Sequence, residues 1–113
     1  MLNLRLRSNA GRRLLSLEAR GHLGTAPHGK DLACAAASVL IQNAALSLEK
    51  FNCISSLDIR PGNIKLKLKR RLTPEQEISA APILKSLIYG LENLRESYPG
   101  RLKFKLDGRR PLL

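Results

Sequence analysis

The chain has 113 residues, 43% of them hydrophobic, which is enough for one core and too few for two ordinary domains, so a single domain over 1–113 is expected. Twenty Lys and Arg against nine Asp and Glu give a formal net charge of +11, which directs the surface toward phosphate-rich or acidic partners and away from basic ones. The opening residues Met1 to Arg7 alternate in character and do not form a basic region followed by an apolar block, and the longest mostly apolar run, Leu32 to Leu48, is rich in small residues and broken by Gln42 and Asn43. Neither a secretory signal nor a membrane span is expected, and the chain is read as cytoplasmic, with Cys34 and Cys53 as thiols in a reducing compartment.

Leu2, Leu4 and Leu6 alternate with Asn3, Arg5 and Arg7, and after the turn residues Ser8 to Gly11 a second alternation runs through Leu15, Leu17 and Ala19. This spacing predicts a β-hairpin. Asp31 is placed to cap a helix over Leu32 to about Lys50, rich in alanine and free of proline and glycine. Ile64 to Lys69 again has period two and predicts a third strand with lysines outward. Thr73-Pro74-Glu75-Gln76 carries an N-cap, a proline for the first helical position and a glutamine placed for a capping box. The helix that follows has Leu84, Leu87, Leu91, Leu94 and Tyr98 at helical spacing, with a kink or restart expected near Ala81 because Pro82 lacks a donor. Pro99-Gly100 ends it, and Arg101 to Leu106 is the fourth strand.

The expected fold is therefore a two-layer α+β domain, ββαβαβ, with a four-stranded sheet and both helices on its apolar face. The other face would present Arg5, Arg7, Lys65, Lys67, Lys69, Arg101, Lys103 and Lys105.

The segment from Gly21 to Cys34 joins a strand end to a helix start and contains His22, His28, Asp31 and Cys34. With Asp31 as N-cap, Cys34 is the third helical residue, where unpaired N–H groups and the helix dipole suit a nucleophilic thiolate and the same N–H groups are placed for an oxyanion. His22 is the candidate base and acid, and His28, flanked by Pro27 and Gly29, is a second candidate. The plainer alternatives are a buried apolar cysteine, a surface histidine and an aspartate that only caps. Ser38, one turn beyond Cys34, either bonds back to a carbonyl or lines the site. A zinc site from His22, His28, Cys34 and Cys53 lacks the short paired spacing of structural zinc motifs, and no phosphate-binding glycine motif is present, so no metal or other cofactor is expected.

Gly21-His22, followed by Asp31-Leu32-Ala33-Cys34-Ala35-Ala36 and Ser38, resembles the bacterial ribosomal-processing cysteine proteases called Prp. The Leu-rich late helix ending in Tyr98-Pro99 is similar to that family too, so the resemblance covers nearly the whole chain. It implies Cys34 as nucleophile and His22 as general base and acid, with Gly21, Asp31 and Ser38 in support. It also implies a homodimer, and a substrate-covering loop formed by Leu23, Gly24, Thr25, Ala26, Pro27, His28, Gly29 and Lys30. The substrate it implies is the precursor of large-subunit ribosomal protein number twenty-seven, cut within an N-terminal extension. Leu23, Ala33 and Ala37 depart from the family pattern and point to a reshaped substrate pocket.

Two other classes compete. A non-enzymatic ribosome or ribosomal RNA-binding module would use the basic sheet face for phosphates, although Phe51, Tyr89, Tyr98 and Phe104 are too few and too dispersed to stack bases, and Phe104 is in phase with the core. A lysine-rich strand face that is merely solvated is the plain reading of the same residues. A redox-sensing thiol protein would need a resolving cysteine, and Cys53 is a helix away from Cys34.

Overall fold

Period-two alternation makes the first strand, β1 (Leu2–Ser8), present Leu2, Leu4 and Leu6 to one side and charged residues to the other, and those three leucines are buried. The computed structural model describes residues 2–11, 13–21 and 32–108. Within it β1 is followed by β2 (Leu14–Gly21), α1 (Leu32–Lys50), β3 (Ile54–Arg60), β4 (Asn63–Leu68), α2 (Pro74–Ser97) and β5 (Leu102–Asp107). The sheet has five strands in the order β3-β4-β2-β1-β5, antiparallel except for the parallel pair β1 and β5. Both helices pack on its leucine face and on each other, so the α+β class and the helical layer are as expected.

The expected count of four strands is corrected to five, and the cause lies in the residues of β3. Ile54 pairs with Leu68 but Ser56 pairs with Lys67, so Ser55 is an extra residue that throws Ile54 out of phase with Leu57 and Ile59. A bulge at the start of a strand already containing two serines removes the alternation by which a strand is recognised. Pro61-Gly62 then turns the chain into β4, with Gly62 at φ 74, the conformation required of the second central residue of a type II turn.

A second bulge corrects β2. Ser8 pairs with Leu14 and Arg7 with Ser16, so Leu15 is the inserted residue. Leu14 moves onto the core face and is buried, while Leu15 stays half-buried. Nearby, the Arg13 guanidinium reaches the loop after β4, where Nη2 donates to the carbonyls of Lys69 and Arg70 at 3.3 and 2.7 Å and Nε lies 3.3 Å from Glu77. Lys69 and Arg101 lie just outside their strands and are half-buried, so they leave the exposed basic face that was expected of them. Residues 109–113, and with them Leu112 and Leu113, are outside the described residues.

Helix α2 opens with the capping box read from the sequence: Thr73 Oγ1 accepts from the Gln76 N–H at 3.2 Å, and Gln76 Oε1 accepts from the Thr73 N–H at 2.9 Å. The Gln76 amide also donates to the carbonyls of Phe51 and Asn52 at 3.2 and 3.1 Å, tying the start of α2 to the end of α1. The restart expected at Ala81 does not occur, and α2 runs unbroken from Pro74 to Ser97. Pro82 and Ile78, the residue whose carbonyl loses its helical donor, are both exposed, so water can satisfy that carbonyl. Leu84, Leu87, Leu91 and Leu94 are buried as expected, whereas Tyr98 is the C-cap and partly exposed.

Helix α1, 19 residues with a mean hydropathy of 1.4, has the length and composition of a membrane span, but its Ala33, Ala37, Ile41, Ala44, Ala45 and Leu48 face is buried against the rest of the chain, as in the core helix of a globular domain. The deepest layer includes Leu4, Leu17, Ile41, Leu48, Leu66 and Leu91. Replacing Leu66, which is fully buried, by alanine is expected to destabilise the fold by about 2–5 kcal/mol, read as a lower urea midpoint. A loss below about 1 kcal/mol would show that the helices close over the cavity.

Candidate active site

Two described elements frame the candidate site. Gly21 is the last residue of β2, paired with Leu2, and its N–H donates to the Gly62 carbonyl at 2.9 Å. Its φ of 103 is strained for any residue with a Cβ, which explains why a glycine precedes the histidine and turns the chain out of the sheet. On the far side of the connecting segment, α1 begins at Leu32, so Cys34 is its third residue, inside the turn whose N–H groups have no intrahelical acceptor. Cys34 is half-buried and packs against the core.

His22, Asp31 and the whole loop Leu23, Gly24, Thr25, Ala26, Pro27, His28, Gly29 and Lys30 lie outside the described residues. The structure thus fixes the two ends between which they run. Ser38 is described. Its Oγ accepts a hydrogen bond from the Gln42 side chain at 2.8 Å, a contact four residues along α1 in place of the carbonyl bond the sequence allowed. Gln42 was noticed in the sequence only as an interruption of an apolar run; its spacing from Ser38 was the available sign of this role.

Ala33 and Ala37 are both on the buried face of α1. Cys53 is structural: it is fully buried, its Sγ lies 3.5 Å from the Phe51 carbonyl, and burial pushes its thiol pKa up. The two cysteines are not joined.

The family model described as Cysteine protease Prp matches residues 1–103 of the chain, spanning both framing elements and the segment between them. The chain belongs to this family. It is therefore a Prp-type cysteine protease. It is 26% identical over 106 residues to the ribosomal processing cysteine protease Prp of Bacillus subtilis (strain 168), covering 91% of this chain and 95% of that one. Among solved structures, an essential ribosomal processing protease Prp from S. aureus, in complex with a covalently linked product peptide, has the same fold: TM-score 0.81 at 15% identity, covering 95% of this chain and all of the other. SMU.848 from Streptococcus mutans superposes with a TM-score of 0.76 at 27% identity, covering 96% of each chain.

The contrast between the two cysteines of this Prp chain is directly measurable. Iodoacetamide is expected to alkylate Cys34 in the folded protein and to reach Cys53 only after unfolding, as mapped by peptide mass spectrometry. Equal labelling rates would show that Cys53 is not sealed in the core. Because the folded state holds the Cys53 thiol protonated where the unfolded chain would ionise, stability from this group is fully present below the ordinary thiol pKa of about 8.5 and falls as pH rises beyond it.

Proposed function

We propose that this Prp-family protease removes an N-terminal extension from the precursor of large-subunit ribosomal protein number twenty-seven, using Cys34 as nucleophile and His22 as general base and acid. The observation that carries the assignment of the nucleophile is the place of Cys34, half-exposed in the first turn of a 19-residue helix. The S. aureus relative is described as a ribosomal processing protease with a covalently linked product peptide, which supports both the substrate class and a covalent route.

The chemistry follows from these groups. The Cys34 thiol gives its proton to the His22 imidazole and its sulfur attacks the scissile carbonyl carbon, moving an electron pair onto oxygen. Donors at the start of α1 are placed to stabilise that oxyanion. Collapse of the tetrahedral intermediate breaks the C–N bond, and the imidazolium protonates the leaving amine. Water, deprotonated by His22, then hydrolyses the thioester and restores the thiol. Gly21 directs the chain toward His22, while Asp31 as cap and Ser38 with Gln42 support the helix turn that carries Cys34.

The enzyme works in the cytoplasm, where two cysteines that are not joined fit a reducing compartment. It acts as a homodimer, for which α1 supplies a surface: Leu32, Val39 and Leu46 recur every seven residues and are each more than half exposed. A Val39→Glu change is expected to shift the sedimentation coefficient toward the monomer, whereas an unchanged dimer would move the interface elsewhere.

The reaction is tested by mass spectrometry of the host's own precursor incubated with the protein. A single N-terminal cut is expected with the parent, none with Cys34→Ala, and a loss of about 10²–10⁴ in kcat/KM with His22→Ala. Cleavage retained by Cys34→Ala would remove that residue from the mechanism, and an intact precursor with the parent would exclude this substrate.

A further inference from the structure

The side of the sheet away from the helices is crossed by three rows of side chains, fixed by strand register. The row at the end from which the chain leaves β2 reads Lys103, Asn3, Arg20, Asn63 and Arg60 from β5 to β3 and contains no acid. The middle row reads Lys105, Arg5, Glu18, Lys65 and Asp58. The third reads Asp107, Arg7, Ser16, Lys67 and Ser56. Arg20 and Arg60 thus join a face on which the sequence pattern alone did not place them.

Each acid on this face is already ion-paired within it: Asp107 with Arg5 at 2.7 Å, Asp58 with Arg60 at 3.1 Å and Glu18 with Lys65 at 3.9 Å. Eight bases against three acids leave a formal excess of five positive charges, and the five that have no ion pair among the described residues are Arg7, Arg20, Lys67, Lys103 and Lys105. They are spread over four neighbouring strands, about 14 Å at the usual strand spacing. A shallow groove of about 310 Å³ runs between Arg5, Arg7, Lys65 and Lys67, with the ion-paired Glu18 and Asp107 also in its lining. Among the described residues no helix covers the face, and neither Phe nor Tyr is on it: Phe104 packs with the core beneath Arg95, Tyr89 is on α2, Tyr98 is its C-cap and Phe51 is in the turn after α1.

We propose that this open face binds the phosphate backbone of RNA, as a second binding surface on the opposite side of the sheet from the helix that carries Cys34. A protein partner would call for apolar or aromatic anchors, which the face lacks, whereas dispersed cations with exposed amides and hydroxyls suit phosphate and sugar oxygens. Without stacking groups the contact is indifferent to base sequence. The proposal rests on the ribosomal-processing reading only for the source of the RNA, since a surface of this kind would hold the protease on a ribonucleoprotein particle beside its substrate.

The test is fluorescence anisotropy of the full-length protein with labelled oligouridylate and oligoadenylate across a range of KCl concentrations. Both RNAs are expected to bind with similar affinity, and five phosphate contacts to a single strand give a slope of log K against log[salt] of about −3.5. Arg7→Glu with Lys67→Glu and Lys105→Glu should weaken binding and flatten the slope by about 2. The corresponding Gln triple variant serves if the charge reversals unfold the chain. The same variants should cleave a short precursor peptide at the parental rate, and Cys34→Ala should bind RNA like the parent, so that failure of the protease reading and failure of this one appear in different assays. No binding at low salt, or affinity and slope unchanged in a folded triple variant, would overturn the proposal. Displacement by polyglutamate as effectively as by RNA would overturn it too, assigning the face to an acidic protein.

Discussion

The burial of one alanine-rich face of α1 in a leucine core is the constraint on which the rest of the molecule depends. Ala33, Ala37, Ala44 and Ala45 are all buried, in one core with Leu4, Leu17 and Leu66 of the sheet. Close packing makes such an interface intolerant of added volume, because any larger side chain at those positions must push the helix away. Cys34 follows Ala33 directly and is about one turn from Ala37, so the packing of those alanines holds the turn that carries its thiol.

Most of the fold was legible because its elements carry strong, separate signals. Lysine and leucine alternating through Ile64 to Lys69 admit one strand register, and Thr73 with Gln76 admits one helix start. What escaped was hidden by bulges. Ser55 and Leu15 each insert a residue into a ladder, and since a strand shows itself only through period two, one insertion is enough to erase β3 or to misplace a core leucine by one position. Pro82 suggested a restart that does not occur: Ile78, whose carbonyl loses its donor, is exposed, and burial is not written in local sequence.

The site was legible in part for the same reason. The third-residue placement of Cys34 follows from where α1 starts, which the alanine-rich run beginning at Leu32 made legible, and the need for a glycine before His22 is explained by the positive φ of Gly21. The link from Gln42 to Ser38 was written only as a spacing of four between two polar residues, a pattern too common to single out. The open face was read as a list of lysines, yet its character comes from cross-strand register, which decides that the acids of β2, β3 and β5 each neutralise one neighbour and leave the remaining bases uncompensated.

The parallel pairing of β1 with β5 also has a kinetic side. Leu2 is matched with Leu102 and Arg5 is bonded to Asp107 across 102 positions of chain, so the inner strand of the sheet waits for β5 before its second edge is filled. Such pairing carries the entropic cost of closing the long loop from β1 to β5, and it cannot begin until β5 has been made. A nascent chain halted before Leu102 exposes an unpaired edge at β1, so closure of the sheet is tied to synthesis of β5.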